Sequence, residues 1–479
     1  MTDTIEHKKV RVLKKVKKNS QAESATDSAQ IYIGLDFGTS FTKASYEIAS
    51  QKHNISSVKF HDTEATDKYF MPSKLYFDVE TKTLSMEKTS GALSEIKYFK
   101  YTMIDNSLAI NENLYKYKDE VKNNLEQLCA MFFLSRVILK IKKAVTENPI
   151  IKNSKINSEV EWFINMGVPI LETGEKSEIY KTVLTVAYQY AMKHPQGINA
   201  NLVELDNFFE ENKGVANPNL NVLPELYAEI LSVLQNKNIK EGFYAVIDVG
   251  GGTTDIATFY KQITKDDGVK VSCISQKVCN LGFDSLCSKV SQIQNENTIK
   301  EIKKYLKNCN ISYCYLDSRE QLSEYKITKS IDAKKFYECI TEFRTAYGKC
   351  LMNAHDKHRE LMGKMIFAEQ PLRYFVMGGA RKITFYQHNI KRMASAQKNA
   401  GVPKAQKDNI LRYLKDDSNF EVHNSRLLIS QMLVRPYEQF SPLAKQLPED
   451  FVLGPLPIYK GVKSKREKSD DKLNERYPK

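Results

Sequence analysis

The stretch FYAVIDVGGGTTD occupies residues 243–255 and decides the fold. It begins with a run of apolar residues typical of a buried β-strand, and this run ends at Asp248 and Val249. Three glycines and two threonines follow, and Asp255 then precedes a second apolar run. Glycine lets the backbone turn close to a ligand because it carries no Cβ atom. The stretch therefore predicts a β-hairpin whose turn lies beside a carboxylate.

The same pattern occurs once more, near the start of the chain. Residues 31–42 are IYIGLDFGTSFT, in which an apolar strand leads to Asp36, a glycine, two hydroxyl residues and a second strand. This repetition predicts two half-domains that each open with a hairpin. Strand and helix patterns alternate through the rest of the chain, so we predict an α/β fold. The predicted strands are 31–35, 42–48, 162–168, 243–247, 256–260 and 374–377, residues 68–80 are extended, and the predicted helices are 118–146, 175–193, 284–307 and 334–362.

Each glycine turn has the chemistry of an anion site. Backbone N–H groups and hydroxyls bind phosphate oxygens, and a neighbouring carboxylate can hold a hydrated Mg²⁺ ion. Two such turns would grip a polyphosphate from both sides, with Asp36 and Asp248 placing the metal. The pattern D-x-G-G-G-T-T-D is specific, whereas D-x-G-T-S at residues 36–40 is weaker by itself. The pair predicts a site for a nucleoside triphosphate.

Composition and charge narrow the class of protein. The chain has 479 residues, of which 42% are apolar and 27% charged, as in an ordinary globular protein of two to four domains. The net charge is +13, but residues 1–20 carry +5 of it and residues 460–479 carry +4. The body of the chain is therefore nearly balanced, which does not favour a nucleic-acid-binding core.

We expect the two basic ends to be solubilising tails. Clustered lysines also suit nucleic acid or an anionic membrane surface, because they neutralise phosphates. That alternative is less favoured, since no aromatic residues interleave with the lysines. No apolar segment follows the basic N-terminus, and the longest apolar stretch is interrupted by Arg136, so we predict neither a signal peptide nor a transmembrane segment.

The cysteines indicate a reducing compartment. Seven of the eight lie between Cys273 and Cys350, and none of them forms the C-x-x-C pairs that a zinc site normally uses. We expect buried thiols that act as small apolar side chains. A cytoplasmic location follows from this expectation and from the lack of an export signal.

Three motifs together resemble the superfamily of actin, sugar kinases and heat-shock-protein ATPases. Residues 36–40 are similar to its first phosphate loop, residues 248–255 to its second, and residues 376–383 to its adenosine loop. Their order and spacing are most similar to the nucleotide-binding domain of the 70-kilodalton heat-shock chaperones. Weaker similarities lie at residues 71–73, 167–169, 224–225 and 281–284.

The resemblance implies two actin-like, ribonuclease H-like lobes with a nucleotide cleft between them. ATP or ADP and Mg²⁺ are the implied ligands. We expect a disordered basic tail at 1–29, lobe I at 30–235, lobe II at 236–445 and a polar basic tail at 446–479. About 96 residues follow Ile383, so no peptide-binding domain is expected after the second lobe.

The resemblance also implies roles for individual residues. Asp36 and Asp248 would hold the metal, and Lys100, favoured over Lys97, would face the γ-phosphate. Glu225 would orient water and metal, and Thr253 would lie near the attacking water. The implied catalytic residues are Lys100, Glu225, Asp248 and Thr253, and the implied nucleotide-binding residues are Asp36, Gly38, Thr39, Ser40, Gly250, Gly251, Gly252, Thr253, Thr254, Asp255, Gly378, Gly379 and Arg381.

The helix that faces the adenine in the chaperones would fall near Glu320. Ser323 stands there where the family has a lysine, and Lys326 is a candidate replacement. The adenosine loop has G-G-A-R-K where the family usually has G-G-S-x-R. Both are departures from the pattern that contacts the base.

We expect a slow Mg²⁺-dependent ATPase that acts as a nucleotide-driven conformational switch for a protein partner. An actin-like, filament-forming ATPase is one alternative, because it shares the same loops. A nucleotide-binding pseudoenzyme is another. A sugar kinase shares D-x-G-T-S, but the triple-glycine second loop is unlike that branch.

Overall fold

The structure is a computed structural model with a mixed α/β architecture, in agreement with the predicted class. It describes residues 29–51, 54–61, 66–88, 93–103, 112–153, 160–169, 175–235, 241–264, 268–283, 285–286, 338, 341–342, 344–353, 373–381, 386, 389–390 and 422–434. The chain divides into two compact units. The first unit consists of Met1–Ala228 and Leu427–Arg435, and the second of Glu229–Arg426 and Pro436–Lys479.

The strands of the first unit form two sheets. They are β1 (Gln30–Phe37), β2 (Phe41–Ile48), β3 (Ser56–Ser57), β4 (Met71–Pro72), β5 (Lys74–Asp78), β6 (Thr83–Ser85), β7 (Leu93–Lys97), β8 (Glu161–Val168), β9 (Asn199–Asn201) and β10 (Leu220–Pro224). The strands of the second unit are β11 (Gly242–Val249), β12 (Thr254–Thr264), β13 (Gly268–Cys279) and β14 (Arg373–Met377).

The helices vary from one turn to six. They are α1 (Phe99–Thr102), α2 (Glu112–Tyr115), α3 (Leu125–Thr146), α4 (Pro149–Asn153), α5 (Glu175–Lys193), α6 (Leu202–Asn212), α7 (Glu225–Gln235) and α8 (Val422–Leu433). Residues 344–353 are also helical. Within the described residues, no helix has both the length and the apolarity needed to cross a bilayer.

The first sheet has the strand order β10-β8-β1-β2-β3, with β4 paired to β2. β1 and β2 form the predicted antiparallel hairpin, whereas β8 runs parallel to β1 and β10 runs parallel to β8. The carboxyl ends of these parallel strands meet at one edge of the sheet. Asp36 pairs there with Gly167, and Gly167 pairs with Leu223. Ligands in α/β proteins bind outside such an edge.

The second unit repeats this arrangement. Its sheet has the order β13-β12-β11-β14, and β11 and β12 form the second predicted hairpin. β14 runs parallel to β11, and β13 runs antiparallel to β12. Asp248 therefore lies at the same position in its hairpin as Asp36 does in the first, at the carboxyl end of a strand with a parallel neighbour.

A second, antiparallel sheet in the first unit has the order β7-β5-β6-β9. Its strands place buried apolar residues among more exposed, mostly polar ones, as expected for a sheet with one covered face. The buried apolar side chains are Leu75, Phe77, Leu84, Ile96 and Ala200. The sequence analysis predicts only an extended stretch at 68–80 and does not identify this sheet.

Helix α3 supplies much of the core of the first unit, but it begins later than predicted. The apolar pattern suggests a start at Lys118, whereas the helix starts at Leu125. The reason is Asn124, whose side chain accepts hydrogen bonds from the backbone N–H groups of Glu126 and Gln127 and so caps the first turn.

Replacing Asn124 with alanine should lower the free energy of unfolding by about 1 kcal/mol, because two N–H groups lose their acceptor. Aspartate at the same position should restore most of that loss, since its carboxylate can also cap. Urea unfolding of the full chain measures both. Equal midpoints for wild type and Asn124→Ala would contradict the cap.

Helix α8 corrects the predicted domain boundary. The sequence analysis assigns residues 236–445 to the second half-domain, but Leu427–Arg435 belongs to the first unit. The Ser430 hydroxyl bonds that of Ser45 at 2.9 Å, and the Leu433 carbonyl accepts a bond from Asn165 at 2.9 Å. A Cβ atom added to Gly34 would lie 1.9 Å from the Ser430 carbonyl oxygen. The glycine thus lets the helix backbone reach the sheet.

Several predictions concern residues that lie at the ends of the described ranges or outside them. Ala29, assigned to the N-terminal tail, is buried, and its carbonyl accepts a hydrogen bond from the backbone N–H of Glu161 at 3.0 Å. Ala29 therefore belongs to the first unit. The rest of that tail, the C-terminal tail, nearly all of the helix at 284–307 and most of the helix at 334–362 lie outside the described residues.

The cysteines are only partly as predicted. Cys129 is a buried free thiol in α3, as expected for a small apolar side chain. Cys279 and Cys350, in contrast, form a disulfide between the end of β13 and the helical residues 344–353. The two are 71 residues apart, and the fold rather than any local spacing brings them together.

Candidate functional site

The acidic residue of the first hairpin is held by a lysine. Asp36 is buried, and its Oδ2 atom is 2.5 Å from Lys43 Nζ. The two residues are directly opposite each other in the β1–β2 register, so their side chains lie on one face. The sequence motifs do not single out Lys43. The hairpin register would have indicated Lys43, because the residue seven positions after Asp36 lies opposite Asp36 in the hairpin.

The first glycine turn, residues 38–40, follows Asp36 directly. The Gly38 N–H donates to the Asp36 carbonyl at 3.1 Å, and a Cβ atom at Gly38 would lie 2.3 Å from the Phe41 carbonyl oxygen. Ser73 fixes the turn from outside, since its hydroxyl donates to the Gly38 carbonyl at 2.6 Å and its N–H to the Ser40 carbonyl at 3.0 Å. Thr39 is half-buried within this turn, as is Ser40.

Lys100 and Glu225 form a buried ion pair at the same sheet edge. Their Nζ and Oε1 atoms are 2.7 Å apart, and the side chains are 4% and 13% exposed. Glu225 starts α7 directly after β10, and a Cβ atom at Gly167 would lie 2.9 Å from its Cγ atom. Gly167 is also the pairing partner of Asp36. Lys100 lies over the Phe37 ring, with Nζ 5.6 Å from the centroid.

The alternative lysine lies elsewhere. Lys97 is about half exposed on β7 and forms an ion pair with Glu95. The backbone turns between the two lysines at Tyr98, which has a φ of +65°. Of the two candidates, the described residues therefore place only Lys100 next to Glu225 and Phe37.

Replacing Lys100 with methionine should lower the free energy of unfolding by about 3 kcal/mol, because Glu225 would keep a buried charge without its partner. Adding Glu225→Gln should restore most of this loss. Lys97→Met is the matched control, and its exposed ion pair should contribute at most about 0.5 kcal/mol. Urea unfolding measures the series. A double variant no more stable than Lys100→Met would contradict a coupled pair.

In the second unit, Asp248 is enclosed by a glycine from the third motif. Asp248 is buried at the end of β11. Gly378 has a φ of +86°, and a Cβ atom there would lie 2.0 Å from Asp248 Oδ1 and 2.3 Å from the Val249 carbonyl oxygen. The Ala380 N–H donates to that same carbonyl at 3.0 Å. The sequence-predicted second and third motifs therefore lie in contact.

The second glycine turn, residues 250–253, is supported by the segment after β13. The Gly250 N–H donates to the Thr253 carbonyl at 2.9 Å and closes the turn. The Gly282 N–H and the Ser285 hydroxyl both donate to the Gly252 carbonyl, at 3.1 and 2.7 Å. A Cβ atom at Gly282 would lie 2.4 Å from the Gly251 carbonyl oxygen. The turn is thus supported by one backbone donor and one side-chain hydroxyl, and the Gly282 backbone packs closely against it.

The hydroxyl residues of the second turn are already engaged. The Thr253 hydroxyl donates to Asp255 Oδ2 at 3.2 Å, and the Thr254 hydroxyl donates to the Leu281 carbonyl at 3.0 Å. Asp255 stands opposite Asp248 in the β11–β12 register, and both side chains are 7% exposed. Two buried carboxylates on one face of a hairpin repel each other and favour a cation nearby.

The remaining nucleotide-binding candidates lie in the turn after β14. Arg381 is buried, and its N–H donates to the Gly378 carbonyl at 3.4 Å, whereas Gly379 is exposed. Glu320, Ser323 and Lys326, the candidates for the adenine-facing helix, lie outside the described residues.

The predicted site residues thus form one group in each unit. The first group lies at the carboxyl edge of β1, β8 and β10, and the second around the end of β11. The described residues contain no group of three or more His, Cys, Asp or Glu side chains arranged for a metal ion. Mg²⁺ commonly uses only one or two carboxylates and takes its other ligands from water and phosphates. Asp36 beside the first turn and Asp248 beside the second fit that chemistry, and Asp255 lies opposite Asp248.

The chain matches no protein-family model and no curated protein.

Proposed function

We propose that the chain is an ATP-binding protein similar to the nucleotide-binding domain of the 70-kilodalton heat-shock chaperones, and that it hydrolyses ATP slowly with Mg²⁺. One observation carries the proposal. Both units place a buried aspartate and a glycine turn in the first hairpin of the sheet, beside a strand parallel to the first. On this proposal the two units are the lobes of an actin-like ATPase, and both turns hold one nucleotide.

The side chains around the first turn suit a triphosphate. Lys43 and Lys100 place ammonium groups at the sheet edge, each paired with a carboxylate, and the turn itself would supply backbone N–H groups and hydroxyls. In the second turn, the Gly250–Gly252 backbone would bind phosphate oxygens in the same way. Asp36 and Asp248 would hold Mg²⁺, which when bound neutralises phosphate charge.

The reaction we propose is attack by water on the γ-phosphorus of ATP, in which the bond to the β,γ-bridging oxygen breaks to give ADP and phosphate. Such reactions depend mainly on positioning and charge neutralisation. Glu225, oriented by its ion pair with Lys100, would accept a hydrogen bond from the water. Thr253, held by Asp255, would contact the γ-phosphate.

The output we propose is a conformational switch. ATP bound by both turns would favour one arrangement of the units, and hydrolysis of the ATP would remove that preference. A partner protein in the cytoplasm would recognise one of the two states. The basic tails are a secondary candidate surface for anionic partners.

Titration calorimetry with Mg²⁺ and ATP tests the proposal. We expect one ATP per chain. We expect Lys43→Met, beside the first turn on β2, and Thr253→Ala, in the second turn, each to weaken that same binding event by about tenfold. GTP and ADP in place of ATP test selectivity. No binding, or two sites of which each variant removes one, would refute the shared nucleotide.

A further inference from the structure

The disulfide between Cys279 and Cys350 lies next to the second glycine turn. Cys279 is the last residue of β13, and the segment that supports the turn begins directly after it. Cys350 belongs to the helical residues 344–353 and is buried. The bond therefore ties this helical segment to the start of the supporting segment.

The segment that begins at Cys279 is hydrogen-bonded to Thr254 and Gly252. The Leu281 N–H donates to the Cys279 carbonyl at 2.7 Å, which forms a tight turn. The Leu281 carbonyl then accepts the Thr254 hydroxyl at 3.0 Å, and the next residue, Gly282, donates to the Gly252 carbonyl at 3.1 Å. Cys279 thus lies directly before the residues that make two of the bonds to the second glycine turn.

The helical segment that contains Cys350 interacts with Thr254 as well. Tyr347 lies one helical turn before Cys350, is fully buried, and interacts with the Thr254 side chain. Burial raises the pKa of Tyr347, so its hydroxyl keeps the proton and stays neutral. Its ring packs edge-on against Tyr386, with centroids 5.2 Å apart. Thr254 is therefore held from both ends of the disulfide.

We propose that the Cys279–Cys350 pair is a redox modification site, reduced by dithiols and oxidised by small disulfides, and that its oxidation state sets the order of the second glycine turn. The effect on nucleotide affinity rests on the proposed function, but the effect on the turn does not. Disulfides in a reducing compartment are usually of this regulatory kind.

The chemistry is thiol–disulfide exchange. A thiolate of the dithiol attacks one sulfur of the pair, which breaks the Cys279–Cys350 bond and gives a mixed disulfide. The second thiol of the reagent then displaces the remaining cysteine. Two electrons and two protons pass to the protein, which ends with two thiols, and the dithiol becomes a disulfide. Oxidised glutathione reverses the process in two exchange steps.

Hydrogen exchange on the full chain, without nucleotide, tests the proposal. The protein is treated either with oxidised glutathione or with dithiothreitol, and differential alkylation with peptide mapping identifies the bonded cysteines. We expect a 279–350 linked peptide only after oxidation, and exchange at residues 250–254 about fivefold faster after reduction. Mg²⁺-ATP affinity should fall by a similar factor.

Two variants serve as controls. Cys279→Ser/Cys350→Ser should show the fast exchange in both conditions, whereas Cys129→Ala should respond like wild type because Cys129 is not part of the pair. If the double variant fails to fold, the comparison of oxidised with reduced wild-type protein alone tests the proposal. A different pairing after oxidation, or unchanged exchange at residues 250–254, overturns the proposal. If neither the oxidised nor the reduced protein binds ATP, the proposed function is refuted. The hydrogen-exchange data would still test the redox proposal.

Discussion

Alanine in place of Asp248 is expected to reduce the proposed Mg²⁺-dependent ATP hydrolysis by at least about 100-fold, because that reaction would depend on charge neutralisation by a correctly held metal. Asp248 is buried at the end of β11 and is enclosed by Gly378. Water cannot easily replace a carboxylate in that position, so we expect little compensation.

This loss should not come from unfolding. Asp248 stands opposite Asp255, and removing one of two like charges on a hairpin face relieves repulsion. We therefore expect the melting temperature of Asp248→Ala to equal or exceed that of wild type in the absence of nucleotide. Asp119→Ala, at an exposed position in the first unit, is the control and should retain full activity.

Phosphate release and ATP affinity, measured on the same samples, separate the outcomes. Lost hydrolysis with a normal melting temperature supports the role of Asp248. Hydrolysis that survives in Asp248→Ala contradicts it. ATP binding without phosphate release in wild type identifies a nucleotide-binding pseudoenzyme and refutes the proposed activity.

Valine in place of Gly34 is expected to destabilise the first unit by about 3–5 kcal/mol, or to prevent its folding, because the core cannot relax around the added side chain. The nearest atoms are all backbone: a Cβ atom would lie 1.9 Å from the Ser430 carbonyl oxygen, 2.7 Å from the Val434 nitrogen and 2.9 Å from the Leu433 carbonyl carbon. Rotation of a side chain cannot relieve such contacts, so α8 must move away from the sheet.

The chain offers a matched control at Gly214, where an added Cβ atom would meet nothing within 4 Å. Gly214→Val should unfold close to the wild-type urea midpoint. Gly34→Val should unfold at much lower urea, or be insoluble when Gly214→Val is soluble. Equal midpoints for the two valine variants would show that α8 does not pack on β1 as described.

Local patterns were enough to predict the two hairpins. The apolar run, the aspartate and the glycines around Asp36 and Asp248 lie within about a dozen residues, and strand and turn preferences act on that scale. The same holds for the strand and helix at residues 161–193, whose bounds are close to those predicted. Helix α3 shows the limit, because its start depends on the capping role of Asn124 and not on its apolar pattern.

Contacts between distant segments were not predictable in this way. The Ser45–Ser430 hydrogen bond joins residues 385 positions apart, and no local pattern indicates that α8 belongs to the first unit. The position of Lys43 opposite Asp36 could be recognised only from the hairpin register. The sequence favours Lys100 over Lys97, but the contact of Lys100 with Glu225 is visible only in the folded chain. The disulfide at Cys279 likewise depends on tertiary pairing, which a count of cysteines does not reveal.

The division of the chain also bears on how the protein is made. The first unit is interrupted after Ala228 and resumes only at Leu427, and the larger segment of the second unit, Glu229–Arg426, lies between these two parts. A ribosome releases these segments in order, and the first unit must therefore wait, with its β1 surface uncovered, until α8 has left the exit tunnel. A stop codon just before position 427 should therefore damage the first unit as well as the second, even though Met1–Ala228 would be synthesised in full.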